Sequence, residues 1–155
     1  MPTNTEPAFA IRQPGPADLD LMEALLNVFG RVFEEESVYC QRQPTREYME
    51  RLLEGKVFIA LTAVVGGQVV GGVAGYELPK FEQERSEIYI YDLAVLAEYR
   101  RMGIATALIN GVRKIASSRG AHVIFVQADH GDDPAISLYA KLGTREDVLH
   151  FDIKP

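Results

Sequence analysis

The segment Arg100–Ala105 has the residue types of an anion-binding turn between a predicted strand and an amphipathic helix. The first amide N–H groups of a helix have no acceptor within it, and the helix dipole adds positive potential there. Gly103 lets a phosphate approach the backbone, and Arg100 and Arg101 supply positive charge. The pattern is neither GxxxxGK[ST] nor GxGxxG. It predicts a phosphate seat, but a basic helix start with a glycine placed for packing would show the same residues.

Three carboxylates follow the predicted strand Val123–Ala128 within five residues, namely Asp129, Asp132 and Asp133. Ligands of open α/β sheets gather at strand ends, and carboxylates form charge-assisted hydrogen bonds with ammonium groups. A cationic ligand is therefore expected here. Asp133 precedes Pro134 and has the pattern of a helix N-cap as well. The spacing of these acids is not diagnostic of a metal, and we predict no metal site.

The predicted strand Ser86–Val95 carries two more acids. Glu87, near its start, would extend the acidic patch. Asp92 lies near its end, beside the anion-binding turn, where a carboxylate could accept a proton from an ammonium group directly or through water. The alternative is a structural carboxylate that accepts backbone or hydroxyl hydrogen bonds at the end of the strand.

Composition narrows the classes of partner. The chain has 155 residues, of which 47% are hydrophobic, and a formal net charge of −6. This length suits one domain, which we assign to residues 1–155 with residues 1–7 flexible. The acidic balance argues against nucleic acid, which requires a basic face, and favours a cationic ligand.

The expected compartment is the cytoplasm. Cys40 is the single cysteine, so no internal disulfide is possible. Met1–Phe9 lacks the basic start and apolar stretch of a secretory signal. The longest apolar stretch, Val57–Val65, is far shorter than the ~20 residues that cross a bilayer, so no membrane partner is expected.

Hydrophobic periodicity predicts an α/β fold with one mixed sheet. Helices are predicted at Leu19–Phe33, after an N-cap at Thr45, at Ile104–Arg119 and at Asp133–Lys141. Strands are predicted at Phe9–Gln13, Val57–Val65, Gln68–Leu78, Ser86–Val95, Val123–Ala128 and Val148–Ile153, with a turn at Gly66-Gly67 and a polar loop at Pro79–Arg85. The middle of the sheet is antiparallel, and helices separate the later strands.

The R-x-x-G-x-A turn after Leu93-Ala94-Val95 resembles the acyl-CoA pyrophosphate loop of the GNAT N-acetyltransferase superfamily. The segment Ala135–Gly143 resembles a helix of the same superfamily, with Tyr139 at the position of its usual general acid. Asp132 stands where the superfamily commonly has asparagine. The resemblance covers nearly the whole domain and implies the GNAT fold, a single mixed, mostly antiparallel, twisted sheet flanked by helices.

The same resemblance implies acetyl-CoA as cosubstrate. The residues that it places against acetyl-CoA are Leu93, Ala94, Val95, Arg100, Arg101, Met102, Gly103, Ile104, Ala105 and Thr106. The superfamily reaction is direct attack of an amine on the thioester and needs no nucleophilic residue. In this scheme Asp92 accepts the ammonium proton, the Val95 amide faces the thioester oxygen, and Tyr139 protonates the departing sulfur. The alternative for Tyr139 is a core tyrosine at helical spacing with Ile136.

Several stretches are similar to the type I aminoglycoside 3-N-acetyltransferases. They are Leu78–Gln83, Arg85–Val95, Gln127–Asp129, Gly131–Ala135 and His150–Ile153, and the similarity runs from about Phe29 onward. It implies acetyl transfer to the 3-amino group of a 2-deoxystreptamine aminoglycoside of the gentamicin class, which inactivates the antibiotic. The residues expected to bind this polycation are Glu87, Asp92, Asp129, Asp132 and Asp133. A homodimer that involves the C-terminal strand region is also implied.

Three other functions compete with this interpretation. The same acyl-CoA chemistry would serve a polyamine or a protein amine, because acidic residues suit any polycation. A non-enzymatic acyl-CoA-binding module would bind acetyl-CoA without turnover, and the pair Tyr139 and Asp92 argues against it. A nucleotide-binding protein is disfavoured because neither a phosphate-loop lysine nor a ribose-binding signature follows the turn.

Overall fold

The computed structural model describes residues 8–155. The expectation that residues 1–7 are flexible lies outside the described residues. The helices are α1 (Leu19–Phe33), α2 (Glu36–Tyr39), α3 (Arg46–Glu54), α4 (Ile104–Arg119) and α5 (Asp133–Leu142). The strands are β1 (Ala10–Arg12), β2 (Phe58–Val65), β3 (Gln68–Lys80), β4 (Arg85–Val95) and β5 (Ala121–Val126), and Ala97–Tyr99 forms a 3₁₀ turn.

The five strands form one open sheet in chain order, β1-β2-β3-β4-β5. Neighbours from β1 to β4 are antiparallel, and β5 is parallel to β4 because α4 carries the chain back across the sheet. Gly66 and Gly67 join β2 to β3 with φ of 56° and 80°. A two-residue turn with both φ values positive matches the twist of a hairpin. The predicted mixed sheet is confirmed.

The core lies on both faces of this sheet. A Cβ on Gly72 of β3 would collide with Leu25 of α1, so α1 packs closely on that face. A Cβ on Gly111 of α4 would collide with Leu61 of β2, which places α4 on the opposite face. Alternating residues of a strand point to opposite faces, so each central strand is buried by both helices. We refer below to the α1 face and the α4 face.

A β-bulge interrupts the pairing of β3 with β4. Ala74 pairs with Asp92 and Gly75 pairs with Ile90, which leaves Tyr91 as the extra residue. A Cβ on Gly75 would collide with the carbonyl oxygen of Tyr89, so glycine permits this close approach. A bulge re-aims the side chains that follow it, and here it changes the alternation of β4 just before Asp92.

The structure corrects four predictions about elements. The predicted strand Val148–Ile153 is wrong within this chain, since residues 143–155 have no regular structure and expose Leu149 (83%), Phe151 (76%) and Ile153 (90%). A strand needs a neighbour to bond with, and this segment pairs with none of the described residues.

The other three corrections concern boundaries and one helix. β5 begins at Ala121, two positions before the predicted strand, and it is partly exposed because it is an edge strand. The predicted loop Pro79–Arg85 is shorter, because Pro79 pairs with Ser86 and Lys80 pairs with Arg85. The single-turn helix α2 was not predicted. Among residues 8–155 there is no helix with the length and apolar character needed to cross a membrane.

Candidate active site

The site lies where β4 and β5 separate. Their parallel pairing ends at Ile90 with Val126, but β4 continues to Val95. The last β4 residues, Tyr91–Val95, therefore have no partner in β5. This leaves an opening in the sheet, bordered by the end of β4 and by the residues that follow β5. Asp92 and the predicted acetyl-CoA contacts Leu93–Val95 lie along this opening, so the structure brings them together.

The N-terminus of α4 follows the end of β4 and is free of any side-chain cap. Gly103 is the N-cap with φ of 82°, and the first helical bond runs from Ala107 N to Gly103 O over 3.0 Å. The amides of the preceding helical positions, Ile104–Thr106, have no acceptor within the helix. A Cβ on Gly103 would meet nothing within 4 Å, so the space on that side of Gly103 is open. The turn fits the anion seat that the sequence predicts.

The two arginines of the turn have different surroundings. Arg100 Nε donates to the carbonyl oxygen of Val95 at 3.4 Å, which ties the turn to the end of β4. Arg101 is exposed and adopts a left-handed φ of 64°, an uncommon conformation for a residue other than glycine. Such backbone conformations cluster at ligand-binding turns. The fit to a diphosphate therefore rests on free amides, one strained residue and two guanidinium groups.

Asp92 is half-buried on the α1 face, and its carboxylate is held by a tyrosine. The hydroxyl of Tyr39 donates to Asp92 Oδ1 over 2.9 Å. Burial raises the pKa of Asp92, the bond from Tyr39 lowers it, and the charge of Glu35 raises it, for a net upward direction. The carboxylate therefore has a higher proton affinity than an exposed aspartate, as a proton acceptor at a reacting amine needs.

Sequence reasoning missed Tyr39. It lies on α2, and its ring packs against Phe29 and Phe33 of α1 at centroid distances of 5.9 and 5.7 Å. A helix of one turn has no periodicity to detect, and the only clue is that Val38-Tyr39-Cys40 is apolar within a polar stretch. Cys40 packs against Gly30 of α1, where a Cβ on that glycine would collide with its sulfur.

Tyr139 lies on α5 and is half-buried against the core. Burial, and then the negative charge of Asp132, raise the pKa of Tyr139 to about 12. Both effects disfavour the phenolate, so the hydroxyl keeps its proton at neutral pH. The position is compatible with a proton donor and equally with a core tyrosine.

The acidic cluster after β5 is exposed, and one of its members was given the wrong structural role. Asp132, not Asp133, is the N-cap of α5, because its Oδ1 accepts from Ala135 N at 3.3 Å and its backbone is not helical. Asp133 is the first helical residue. Within residues 8–155 the carboxylates of Asp129 and Asp133 accept no hydrogen bond, so both have more freedom to bind a ligand than Asp132.

Glu87 has less free charge than the sequence suggests. Lys80 Nζ lies 3.6 Å from its Oε2, and His122 Nε2 lies 3.1 Å from its Oε1. A cationic ligand at Glu87 would therefore have to compete with Lys80. Within the described range, no three His, Cys, Asp or Glu side chains are grouped so that they could hold a metal ion.

An open mixed sheet with a gap between two parallel strands and an uncapped helix N-terminus beside that gap offers a place for an extended ligand with an anionic group at the helix end. The profile of the acetyltransferase (GNAT) family matches residues 20–144. The chain therefore belongs to the GNAT acetyltransferases, and the fold predicted from the sequence is confirmed. Enzymes of this family use acetyl-CoA.

Two solved structures are similar over almost the whole chain. An aminoglycoside acetyltransferase from an uncultured soil metagenomic sample is 54% identical, with a TM-score of 0.93 and coverage of 95% of this chain and 98% of that one. A second, also from an uncultured soil metagenomic sample and solved in complex with sisomicin, is 30% identical, with a TM-score of 0.87 and coverage of 96% and 97%.

A curated relative matches over a shorter region. An N-alpha-acetyltransferase of Sulfurisphaera tokodaii is 33% identical over 90 residues, which are 51% of this chain and 54% of that protein. The chain thus spans about half the length of this relative.

The Tyr39–Asp92 hydrogen bond gives a testable pH effect. The bond stabilises the charged carboxylate, so Tyr39→Phe should raise the pKa of Asp92 further above its ordinary value. The same change should lower the free energy of unfolding by about 1 kcal/mol. A ¹³C NMR titration of the Asp92 carboxyl carbon measures the first effect, and urea unfolding measures the second.

The matched control is Tyr48→Phe, which removes an exposed hydroxyl that has no hydrogen-bond partner in residues 8–155. This control should leave the Asp92 titration unchanged. An Asp92 pKa that is unmoved or lowered in Tyr39→Phe would show that the hydrogen bond does not stabilise the carboxylate.

Proposed function

We propose that the chain transfers the acetyl group of acetyl-CoA to the 3-amino group of 2-deoxystreptamine aminoglycosides of the gentamicin class and so inactivates them. The observation that carries the proposal is the half-buried Asp92 carboxylate at the point where β4 and β5 separate, close to an uncapped helix N-terminus. An anionic cosubstrate and a cationic acceptor can meet there. The 54% identity to an aminoglycoside acetyltransferase supports the substrate class. The choice of the 3-amino position rests on the resemblance of stretches such as Arg85–Val95 to the type I aminoglycoside 3-N-acetyltransferases.

The α4 turn would hold the cosubstrate. Acetyl-CoA supplies the acetyl group as a thioester. The free amides of Ile104–Thr106 and the guanidinium groups of Arg100 and Arg101 would bind its diphosphate, and Gly103 would allow close approach. The unpaired edge Leu93–Val95 would orient the rest of the molecule, with the Val95 amide donating to the thioester oxygen.

Asp92 would prepare the acceptor amine. An aminoglycoside amine is mostly an ammonium ion near neutral pH and is not nucleophilic in that form. Asp92 would accept its proton, directly or through water, and hold the nitrogen by a charge-assisted hydrogen bond. The raised pKa of Asp92 improves proton acceptance, and Tyr39 fixes the carboxylate by occupying one of its oxygens.

Tyr139 would donate to the departing sulfur. Its hydroxyl keeps its proton at neutral pH, because its pKa is about 12. A hydrogen bond from this hydroxyl would stabilise negative charge as it develops on sulfur. No covalent enzyme intermediate is required, and no nucleophilic side chain is needed.

Acidic side chains would bind the remaining ammonium groups of the polycation. Asp129 and Asp133 are the strongest of these because their carboxylates are exposed and accept no hydrogen bond within the described residues. Asp132 would contribute charge next to them, although it also caps α5. Glu87 would contribute after displacing Lys80.

A second candidate acceptor is a polyamine or a protein amine. The observation that favours a protein amine is the 33% identity over 90 residues to an N-alpha-acetyltransferase. The acidic cluster would serve either acceptor. The single cysteine supports a reducing, cytoplasmic setting for both, and we place the activity in one domain over residues 1–155.

The decisive experiment offers the protein acetyl-CoA with gentamicin, spermidine or an N-terminal peptide and follows thiol release. We expect turnover with gentamicin, and NMR of the product should show the acetyl group on the 3-nitrogen. If the protein acetylates spermidine or the peptide but not gentamicin, the acceptor belongs to the second class. Acetylation of a different gentamicin nitrogen would refute the position.

The two catalytic assignments predict different kinetic effects. Tyr139→Phe should lower kcat by at least about tenfold with little change in either KM, because the hydroxyl acts on the leaving sulfur. Asp92→Asn should lower kcat/KM for gentamicin by at least about a hundredfold and abolish the acid limb of its pH profile. A Tyr139→Phe enzyme with nearly full kcat would leave that tyrosine a core residue. An unchanged pH profile in Asp92→Asn would remove the carboxylate from catalysis.

We also propose a homodimer in which residues 148–153 of one copy pair with the outer edge of β5 in the other. Leu149, Phe151 and Ile153 alternate with His150 and Asp152, the pattern of a strand with one buried face, yet they are exposed. β5 is an edge strand in the described chain. A cavity of about 300 Å³ lies beside it, lined partly by Val123 and Ile124 of β5 and Ala116 of α4. An exposed strand edge is a template for pairing with another chain.

This arrangement predicts that charge in the segment breaks the dimer. Sedimentation velocity should show a dimer for the natural sequence and a monomer for the double variant Leu149→Asp/Phe151→Asp, because buried aspartates are costly. Glu146→Gln, in the same exposed segment, is the control and should remain a dimer. A monomeric natural protein, or a dimer that survives the double variant, would contradict the proposal.

A further inference from the structure

Five aromatic rings form a continuous row across the sheet, which we call the aromatic row. It runs from Phe58 of β2 through Tyr76 of β3 and Tyr91 and Tyr89 of β4 to Phe125 of β5. The successive centroid distances are 5.7, 6.2, 5.2 and 4.5 Å. These spacings are those of interacting aromatic pairs, so the rings support one another as a single surface.

The aromatic row lies on the α1 face of the sheet, but α1 itself packs on a different part of that face. Gly72 contacts Leu25 of α1, and Tyr76, four residues further along β3, points to the same face. Tyr91 is 62% exposed and Tyr76 is 37% exposed. The middle of the row is therefore an accessible aromatic surface, while Phe58 at one end packs against the core.

The bulge in β4 joins the aromatic row to the candidate active site. Without the extra residue, Tyr91 and Asp92 would point to opposite faces. Instead the Tyr91 ring contacts Tyr76 and Tyr89, and Asp92 meets Tyr39 on the same side of the sheet. Burial is the main cause of the raised pKa of Tyr76 and of Tyr89, and the negative charge of Asp92 adds to the rise at both.

The far end of the row is held by ring stacking and a hydrogen bond. The rings of Tyr89 and Phe125 are stacked with an interplanar angle of 14°, and the Tyr89 hydroxyl donates to Gln127 Oε1 at 2.8 Å. That bond connects the row to the segment which continues to Asp129. A ligand lying along the row would thus have carboxylates near its middle and beyond its far end.

We propose that the aromatic row binds the sugar rings of the acceptor, with their C–H faces and ammonium groups against the tyrosine rings. The inference rests on the proposed function and names the part of the site that recognises the carbohydrate framework. Aromatic faces attract both apolar C–H surface and cations. An uncharged protein surface is a poorer occupant, because it would bury the Asp92 carboxylate without a counter-charge. A polycationic amino sugar brings that counter-charge with it.

The test is the steady-state kinetics of Tyr91→Ala with gentamicin and acetyl-CoA. We expect KM for gentamicin to rise about two- to fivefold, with kcat and KM for acetyl-CoA unchanged. The double variant Tyr76→Ala/Tyr91→Ala should raise KM for gentamicin further, by about tenfold or more. Tyr91→Phe keeps the ring and should behave as the natural enzyme. Phe81→Ala removes a fully exposed aromatic residue outside the aromatic row and should change nothing.

Calorimetric titration with gentamicin separates this inference from the proposed activity. The natural protein could bind gentamicin without acetylating it, which would refute the proposed activity. If Tyr91→Ala then binds gentamicin more weakly and Tyr91→Phe binds it as well as the natural protein does, the role of the aromatic row is still supported. An unchanged KM and affinity in the double variant would overturn the inference, as would a natural protein that binds no gentamicin. A double variant that changes only the sedimentation coefficient would make the row a self-association surface instead.

Discussion

The structure of the site depends on one half-buried carboxylate and on what is needed to hold it. Burying a charge is costly unless hydrogen bonds compensate, and the fold supplies Asp92 with one from Tyr39. That bond exists because α2, a single turn, packs its tyrosine against Phe29 and Phe33 and so presents the hydroxyl to β4. Asp92 itself points to the α1 face because a bulge shifts the alternation of β4, and Gly75 gives the bulge its room. Each of these features would be a local irregularity on its own, and together they place one charged group at the gap between β4 and β5.

The same gap separates two opposite electrostatic environments. On one side, the N-terminus of α4 presents amides without helical acceptors and two arginines, and on the other, the segment after β5 exposes three aspartates. An anion and a polycation can therefore approach one point without sharing a subsite. The net charge of −6 favours long-range attraction of the cation, whereas the anion depends on the local field of the helix end. For an anion to bind at the turn, the positive potential of the helix end and the arginines must outweigh the repulsion from the negative net charge of the protein.

Elements with a clear period were predictable from the sequence, and features that depend on contacts between distant segments were not. The stripe of α1, the Thr45 cap of α3 and the glycine turn between β2 and β3 were all predicted and are confirmed. The helix α2 has a single turn, which is too short to show a hydrophobic period in the sequence. The bulge depends on the close approach of Gly75 in β3 to the carbonyl oxygen of Tyr89 in β4, which the sequence of either strand alone does not reveal. The segment 148–153 shows the opposite failure. Its alternation of apolar and polar residues predicts a strand, but a strand also requires a partner, and the described chain provides none.

The raised pKa of Tyr139 sets a condition on the catalytic role proposed for it. A phenol with a pKa of about 12 is a weaker acid than a thiol, whose reference pKa is about 8.5. Proton transfer from Tyr139 to the departing thiolate would therefore be unfavourable without a nearby positive charge. One contribution to that pKa is the negative charge of Asp132. Under the proposed function an ammonium group of the acceptor lies at the acidic cluster and offsets this charge, which lowers the pKa of Tyr139. Desolvation by the bound ligands acts in the opposite direction, because it disfavours the phenolate. Under the proposed function, the hydroxyl would therefore act first as a hydrogen-bond donor to the developing charge on sulfur, and the bound ammonium group would favour proton transfer only where its effect exceeds that of desolvation.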